Sequence, residues 1–239
     1  MDTEGKKILV TGGALRIGQA FCRWFASLGA DVIIHCNHSM IEAETLAAEL
    51  KKHFPDQQFK VIQADFTKAD ELQGFFDRIG PVDILINNAS VYDPRKIQDE
   101  ELPHCRGQFE VNFFSPLTLM HEFYNSCPDG ACIINMLDQE VESSTGRGGG
   151  YSISKKALRD ATCEAAKDFA PKVRVNGIAP GPVMPPPGME DSTMAKTLKQ
   201  IPLGRPVRLT DLMEAAQFLV NNESVTGTVI HVDCGQHLK

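Results

Sequence analysis

The feature of this sequence that most constrains its fold is a regular alternation of short apolar runs with longer helix-like segments. The apolar runs are continuous, which is typical of strands that helices cover on both faces. Strands that alternate with helices predict a parallel, doubly wound α/β sheet with right-handed crossovers. The predicted strands are residues 7–10, 32–35, 59–63, 82–86, 131–135, 173–178 and 228–232. The predicted helices are residues 17–28, 40–53, 69–79, 104–126 and 152–169, with two short ones near 192–200 and 210–221.

The length of the chain suits a single domain. A doubly wound α/β domain often reaches about 250 residues, and this chain has 239, with no linker, repeat or low-complexity tract. We therefore expect one domain over residues 1–239. Within it, the proline-rich loop and short helix at 182–205 would form a substrate-loop region.

Charge and composition exclude several classes of protein. The formal net charge of −7 argues against nucleic acid as the main partner, because such binders carry basic patches. No apolar run approaches the roughly 18 residues of a membrane span, and Met1-Asp2-Thr3-Glu4-Gly5 shows no signal-peptide pattern. The seven cysteines are scattered without metal-ligand spacing. We expect a cytoplasmic protein with reduced thiols and no metal.

A glycine-rich turn joins the first predicted strand to the first predicted helix, in Thr11-Gly12-Gly13-Ala14-Leu15-Arg16-Ile17-Gly18. Gly12, Gly13 and Gly18 would let backbone N–H groups approach a pyrophosphate at the helix N-terminus. Such a sequence can also be an ordinary tight turn. Its position after the first strand favours dinucleotide binding.

The end of the second predicted strand indicates which dinucleotide. An acidic residue there would bind the ribose 2′-hydroxyl of NAD, but the segment is His35-Cys36-Asn37-His38-Ser39. Arg16, together with His38 and Ser39, could instead bind a 2′-phosphate through charge-assisted hydrogen bonds. His35 and Asn37 are expected as further cofactor contacts. The sequence therefore favours NADPH. The alternative is that the histidines and Arg16 are ordinary solvated side chains.

Tyr151 and Lys155 stand four residues apart at the start of a predicted helix and so share one face. A nearby ammonium is expected to lower the pKa of the phenol and help it exchange a proton. Upstream, Pro116 has no N–H to give to the carbonyl of Asn112. That carbonyl could hold a water leading to Lys155, unless Pro116 only kinks the helix.

Together these motifs resemble the short-chain dehydrogenase/reductase family over essentially the whole chain. The resemblance implies a single Rossmann domain that transfers hydride between a nicotinamide and a carbonyl, alcohol or imine. It also implies that Tyr151 is the proton donor, that Lys155 binds the nicotinamide ribose, and that Asn87, Ala89 and Asp65 line the adenosine. The residues that carry the resemblance are Thr11–Gly18, Asn87-Asn88-Ala89, Asn112, Tyr151, Lys155 and Pro180-Gly181. Further cofactor contacts are expected at Ile17, Phe66, Asn88, Ser90, Pro180, Gly181 and Val183.

One departure from the family pattern narrows the function. Most members have a serine 13 residues before the tyrosine, where this chain has Asp138. An ionised Asp138 accepts a hydrogen bond but cannot donate one to a carbonyl. It would also oppose Lys155 and keep Tyr151 protonated, which suits proton delivery to an imine nitrogen. The alternative is that Asp138 is a loop acid in a degenerate enzyme.

Asp138, Arg16 in place of a fingerprint glycine, and Asn87-Asn88-Ala89-Ser90 resemble the pteridine reductases and bacterial dihydromonapterin reductases. The resemblance implies a catalytic set of Asp138, Tyr151, Lys155 and Asn112. It also implies that Tyr92 stacks on a pterin opposite the nicotinamide. The substrate contacts expected from it are Ser90, Tyr92, Asp138, Tyr151, Gly181 and Met184.

The sequence therefore predicts NADPH-dependent reduction of a pteridine, from 7,8-dihydropterin to tetrahydropterin, with dihydrofolate as a side substrate. The first alternative is a short-chain reductase of a carbonyl, such as a 3-oxoacyl thioester or a small ketone. The second is a nonenzymatic dinucleotide-binding sensor. The resemblance implies a homodimer or homotetramer. The loop at residues 146–150 is expected to be mobile, and Arg147 is expected to be solvated or to contact substrate.

Overall fold

Among the residues that the structure describes, seven strands form one parallel sheet in the order β3-β2-β1-β4-β5-β6-β7. The structure is a computed structural model that describes residues 2–144, 146, 148–185 and 191–238, without the side chains of 69 and 191–193. The strands are β1 (Lys7–Val10), β2 (Asp31–Cys36), β3 (Phe59–Gln63), β4 (Ile84–Asn87), β5 (Ala131–Met136), β6 (Val173–Pro180) and β7 (Val229–Val232). The predicted single Rossmann-type α/β domain is confirmed.

Helices cover both faces of the sheet, so alternate residues of one strand enter two different cores. Ile8 and Val10 of β1 pack on one side, while Leu9 between them packs on the other. This double burial explains why the strands are apolar throughout. The helices are α1 (Arg16–Ser27), α2 (Met40–His53), α3 (Ala69–Leu72), α4 (Phe75–Ile79), α5 (Leu102–Phe109), α6 (Ser115–Ser126), α7 (Gly149–Asp168), α8 (Asp191–Leu198) and α9 (Leu209–Asn221).

Two predicted helices are interrupted. The segment predicted as one helix over residues 69–79 splits into α3 and α4 because Gly74 adopts a left-handed φ of +64°. The long helix predicted from residue 104 starts earlier, at Leu102. It then passes through a π-helical turn, Glu110–Phe114, before α6. The hydroxyl of Ser115 donates to the carbonyl of Glu110 at 2.8 Å, so the irregularity expected at Pro116 is spread over one wide turn.

The sheet topology creates a crevice where the direction of winding reverses. β1 lies between β2 and β4, so the chain leaves β1 toward one edge of the sheet and later returns to the other side. In open α/β sheets ligands bind at this switch point, beyond the carboxyl ends of the strands. The glycine turn after β1 and the loop after β4 both lie there. None of the helices within the described ranges combines the length and apolar character that a membrane-spanning helix requires.

His35 supports the glycine turn from below. Its side chain is buried at the end of β2, and its Nδ1 accepts the N–H of Gly12 at 3.1 Å. Its Nε2 lies 3.1 Å from the carbonyl of Ala64, and its ring stacks on Phe66 with a centroid distance of 4.0 Å. A ring that accepts at Nδ1 and donates at Nε2 is neutral, and burial lowers the pKa of His35 to about 4.

This neutral, buried imidazole makes the stability of the fold pH-dependent. The pKa of His35 is lower in the folded chain than the ordinary value of 6.5, so its contribution is complete above pH 6.5 and is lost as pH falls toward 4. We predict that wild type loses about 3 kcal/mol of unfolding free energy over this range that His35→Gln does not lose. Urea unfolding at several pH values measures it. The exposed His53 at the end of α2 supplies the control, His53→Gln, which should follow wild type; equal pH slopes in all three proteins would contradict the assignment.

Candidate active site

One hydrogen bond joins the two ends of the connection between β5 and α7. Tyr151 lies in the first turn of α7, and its hydroxyl donates to Oδ2 of Asp138 at 2.8 Å. Asp138 follows β5, and its Oδ1 accepts the N–H of Glu140 at 2.9 Å, which caps a short 3₁₀ turn. Because both carboxylate oxygens have donors, Asp138 is oriented before any ligand binds. The expected pairing of Asp138 with Tyr151 is present.

Burial and charge keep the phenol protonated. Burial raises the pKa of Tyr151 well above its ordinary value of 10, and the neighbouring Asp138 raises it further. Burial also raises the pKa of Asp138, while its hydrogen bonds from Glu140 and Tyr151 oppose the change. The raised pKa agrees with the expectation that Asp138 keeps Tyr151 protonated. It runs against the expectation that Lys155 lowers the pKa of the phenol, because desolvation and a carboxylate 2.8 Å away dominate.

Lys155 lies one helical turn after Tyr151 and is buried. Its Nζ donates to the carbonyl of Met136 at 2.8 Å, which fixes the side chain beside the end of β5. Burial lowers the pKa of Lys155 to about 8, and the charge of Asp138 opposes that shift. The ammonium can therefore lose its proton close to neutral pH, as a proton-relay group must.

Tyr92 forms one wall of the site. Its ring meets the ring of Tyr151 edge to face, with centroids 4.8 Å apart and an interplanar angle of 87°. The side chain of Tyr92 is 51% exposed, so about half of it is accessible to a ligand. This position fits the flat platform that the sequence analysis expects at Tyr92.

Asn112 holds the loop that carries Tyr92. Its Oδ1 accepts from the N–H of Val91 and the hydroxyl of Ser90, each at 2.9 Å. Its Nδ2 donates to the carbonyl of Val91 at 3.0 Å and to Ser154 Oγ at 3.3 Å. The sequence predicts that its backbone carbonyl holds a water leading to Lys155. The structure shows that its side chain ties the loop after β4 to α7, a role that its position in the sequence does not reveal.

The glycine turn and the loop after β4 are joined directly. Gly12 has a φ of +60°, and a Cβ on Gly18 would lie 2.0 Å from the carbonyl oxygen of Gly12. Thr11 Oγ1 accepts the N–H groups of Asn88 and Ala89, each at 2.9 Å. Glycine is thus required where the turn meets α1, and Asn88 and Ala89 lie beside it as expected of cofactor-binding residues.

Two residues expected to contact the cofactor have side chains that pack beneath the glycine turn. His35 is buried with both ring nitrogens occupied, and Phe66 is buried against it. Their rings form the floor beneath the glycine turn. A contact of either residue with a cofactor would therefore be made through its backbone.

The adenosine end of the crevice is a separate cleft. Its volume is about 360 Å³, and its lining residues are Asn37, His38, Gln63, Asp65, Lys68 and Glu71. Asn37 donates to Asp65 at 3.3 Å, and Ser39 precedes α2 beside them. Lys68, which the sequence analysis missed, adds a cation here. Only its position shortly after β3 could have indicated it.

Arg16 points away from that cleft. It has a φ of +54° at the start of α1, and its guanidinium donates to the carbonyl of Pro185 at 2.8 Å. The set expected to bind a 2′-phosphate is thus divided: His38 lines the cleft and Ser39 precedes α2 nearby, whereas Arg16 reaches the substrate-loop region.

The segment after β6 forms the opposite wall. The N–H of Gly181 donates to the carbonyl of Val232 at 3.0 Å, and a Cβ on Gly181 would lie 2.7 Å from Cα of Asp233. Val183 packs against the sheet core, which leaves Pro180 and Met184 beside the crevice as partly buried residues. Within the expected substrate-loop region at 182–205, residues 186–190 lie outside the described residues, and so does Arg147.

Comparison with known proteins agrees with this geometry. A short-chain dehydrogenase model, described as enoyl-(acyl carrier protein) reductase, matches residues 13–237. The chain belongs to the short-chain dehydrogenase/reductase family.

Relatives of two kinds share this family fold. An uncharacterised oxidoreductase of Methylorubrum extorquens is 29% identical, with 97% of this chain and 98% of that protein covered. A crystal structure of FolM alternative dihydrofolate reductase 1 from Brucella canis, complexed with NADP, is 33% identical with a TM-score of 0.93, covering 100% of this chain and 96% of that chain. A blue fluorescent protein from a metagenomic library, in complex with NADPH, is 28% identical with a TM-score of 0.88 and 99% coverage of each chain.

Near the C-terminus of this short-chain reductase, the fold gathers three side chains of the metal-ligand type. His231, Asp233 and His237 each have a ligand atom within 4.8 Å of the other two. The spacing of these residues along the chain did not indicate that their side chains lie together. Asp233 already accepts N–H groups from Gly235 and from both the backbone and ring of His237. Because those donors take up its carboxylate, we read the cluster as a turn that supports Gly181.

The dense contacts of Asn112 generate a prediction about stability. Asn112→Ala leaves the N–H and carbonyl of Val91 without their buried partners, which should destabilise the protein by about 2–3 kcal/mol. Urea unfolding measures the loss. Asn125→Ala, at an exposed position of α6, is the matched control and should change stability little. Equal effects of the two substitutions would contradict the role assigned to Asn112.

Proposed function

We propose that this short-chain reductase is an NADPH-dependent pteridine reductase that converts a 7,8-dihydropterin to a tetrahydropterin, with dihydrofolate as a side substrate. The observation that carries the proposal is the 2.8 Å hydrogen bond from Tyr151 to Asp138. A serine at position 138 would donate to a substrate carbonyl, whereas a carboxylate only accepts. The site is therefore built for a substrate with a hydrogen-bond donor and a basic nitrogen, as a reduced pterin has.

The residues divide the reaction between them. Bound NADPH supplies hydride to a ring carbon of the pterin. Tyr151, whose pKa burial and Asp138 both raise, gives its hydroxyl proton to the adjacent nitrogen. Lys155, with a pKa lowered to about 8, lies one helical turn away and can return a proton to the phenolate. The overall change consumes one hydride and one proton for each C=N bond reduced.

Tyr92 supplies the binding surface. A planar pterin would stack on its open face, opposite the nicotinamide, where aromatic stacking favours flat rings over flexible acyl chains. Ser90, Gly181 and Met184 would border the same space. A planar ring site also predicts inhibition by antifolates of the diaminopteridine type.

The NADP-bound Brucella FolM structures support both the cofactor and the substrate class. In this chain the 2′-phosphate would lie between Asn37, His38 and Ser39, with Lys68 nearby. No acid takes the position at the end of β2 from which NAD is usually bound. A cytoplasmic location is part of the same proposal.

We also propose that the partner is a second copy of this chain, in a homodimer or homotetramer. Phe114, Leu117 and Ile153 are each more than 40% exposed on the adjoining α6 and α7 region. Apolar side chains of this size in one area are typical of an interface between subunits. We expect the substitution Phe114→Glu to dissociate the assembly. Analytical sedimentation of wild type and of this variant tests the proposed interface.

The direct test of function is NADPH oxidation with a 7,8-dihydropterin. We predict turnover by wild type, a lower rate with NADH, and a loss of about a hundredfold or more in Asp138→Ser, because the proton donor is no longer held. Asp129→Ser, at an exposed position before β5, is the control and should keep wild-type activity.

Two outcomes would contradict the proposal. Oxidation only with a panel of ketones or 3-oxoacyl thioesters would make the enzyme a carbonyl reductase. Tight NADPH binding without turnover on any substrate would make it a nonenzymatic dinucleotide-binding protein.

A further inference from the structure

The first turn of α7, which carries Tyr151, has no cap of its own. Gly148 occupies the N-cap position and offers no side chain, although the first N–H groups of a helix need outside acceptors. Glu100, from the segment before α5, fills this need: its Oε2 accepts the N–H of Gly150 at 2.7 Å. A carboxylate at this end of the helix is also favoured by the helix dipole.

The contact is close because glycine occupies the start of the helix. Gly149 has a φ of +48°, and a Cβ there would lie 2.3 Å from the carbonyl oxygen of Arg95 and 2.6 Å from Glu100. The N-terminal end of α7 therefore packs directly against the segment from Arg95 to Glu100. The described part of the glycine run, Gly148 to Gly150, is buried, so the expectation of a mobile loop is corrected for these residues.

His104 holds Glu100 in place. Its Nδ1 bonds to the other oxygen of Glu100, and its Nε2 lies 3.0 Å from Oδ2 of Asp93. The side chains of His104 and Glu100 are only 14% and 10% exposed. Ionised carboxylates only accept hydrogen bonds, so both ring nitrogens must carry hydrogen. This geometry requires the charged imidazolium form of His104.

The chain of contacts joins the two tyrosines of the candidate site. Asp93 directly follows Tyr92, and Gly150 directly precedes Tyr151. Between them run the bonds from Asp93 to His104, from His104 to Glu100 and from Glu100 to Gly150. These hydrogen bonds therefore link the backbone next to both tyrosines and hold their rings in edge-to-face contact, with 4.8 Å between centroids.

We propose that Glu100 and His104 are positioning residues: Glu100 caps the helix that carries Tyr151, and charged His104 ties this cap to the loop that carries Tyr92. The proposal rests on the proposed function only in taking Tyr151 as the proton donor. It assigns a role to the unusual glycine run before Tyr151, since residues with a Cβ would keep α7 away from Arg95 and Glu100.

The charges around His104 set the pH range of the connection. Glu100 and Asp93 face its two nitrogens, and Arg95 lies near Asp93 at 3.5 Å. The hydrogen bond to Glu100 raises the pKa of His104 above its ordinary value. Burial raises the pKa of Glu100, but its bonds from Gly150 and His104 outweigh this and lower it. The connection is therefore strongest below pH 6.5, in the range where Glu100 is ionised, and weakens as pH rises through the raised pKa of His104.

Hydrogen–deuterium exchange of the peptide covering the start of α7 tests the connection without any substrate. We expect Glu100→Ala to speed exchange there about tenfold or more, because the Gly150 N–H loses its acceptor. Glu101→Ala, at the adjacent exposed position, is the matched control and should match wild type. In wild type the protection, corrected for intrinsic exchange, should fall as pH rises, whereas His104→Gln should show low protection without that pH dependence.

Steady-state kinetics then tests positioning. With the best substrate of the reductase panel, whether a pterin or a carbonyl, Glu100→Ala should lower kcat about tenfold or more, since small misplacement of a reacting group is costly. The KM for NADPH should stay within about twofold. Glu100→Gln keeps an oxygen for the Gly150 N–H and should recover part of kcat. Circular dichroism and thermal melting establish that each variant is folded.

The two proposals fail in different ways. Wild-type exchange at the start of α7 in folded Glu100→Ala would overturn the positioning role, whatever the substrate is. A fall in kcat of the same size in Glu101→Ala would also overturn it. Absence of pterin turnover with all the exchange effects present would overturn the pteridine assignment alone.

Discussion

The hydrogen bond between Asp138 and Tyr151 is the interaction on which the chemistry of this site depends. Asp138 follows β5 and Tyr151 begins α7, so both elements must be in place for the bond to form. Tyr151 is buried and Asp138 is half-buried, which makes the phenolate costly beside a carboxylate. The result is a phenol that keeps its proton, which in the proposed reaction passes to a substrate nitrogen. The same geometry would be unfavourable for a carbonyl, which needs a donor where Asp138 offers an acceptor.

Elsewhere in the crevice, buried side chains accept hydrogen bonds from backbone N–H groups and fix the loops that carry them. His35 supports Gly12, Thr11 supports the loop after β4, and Asn112 fixes the segment that leads to Tyr92. These supports are buried and have few free hydrogen-bonding positions. A cofactor would therefore meet a preformed surface, which reduces the ordering cost of binding.

Much of the fold follows from local sequence, and the exceptions have physical causes. The strands are predictable because double burial demands continuous apolar runs, and every predicted strand has a counterpart within about two residues. The pairing of Asp138 with Tyr151 follows from spacing and resemblance. By contrast, the break at Gly74 depends on one backbone conformation. The burial of His35 and the link from Glu100 to Gly150 join residues distant in the chain, which periodicity cannot reveal. The sequence indicates that Asp138 keeps Tyr151 protonated, but it does not show the burial of Tyr151, which is the larger cause of the raised pKa.

Titration of Tyr151 would show whether Asp138 keeps the phenol protonated. The chain has three tyrosines, so phenolate absorbance in the near ultraviolet can be assigned by comparison with Tyr151→Phe. We expect the Tyr151 step in wild type to lie well above the ordinary phenol pKa and to move to lower pH in Asp138→Asn, where the carboxylate charge is gone. A step at the ordinary phenol pKa in wild type, or at the same pH in both proteins, would contradict the view that Asp138 keeps the phenol protonated.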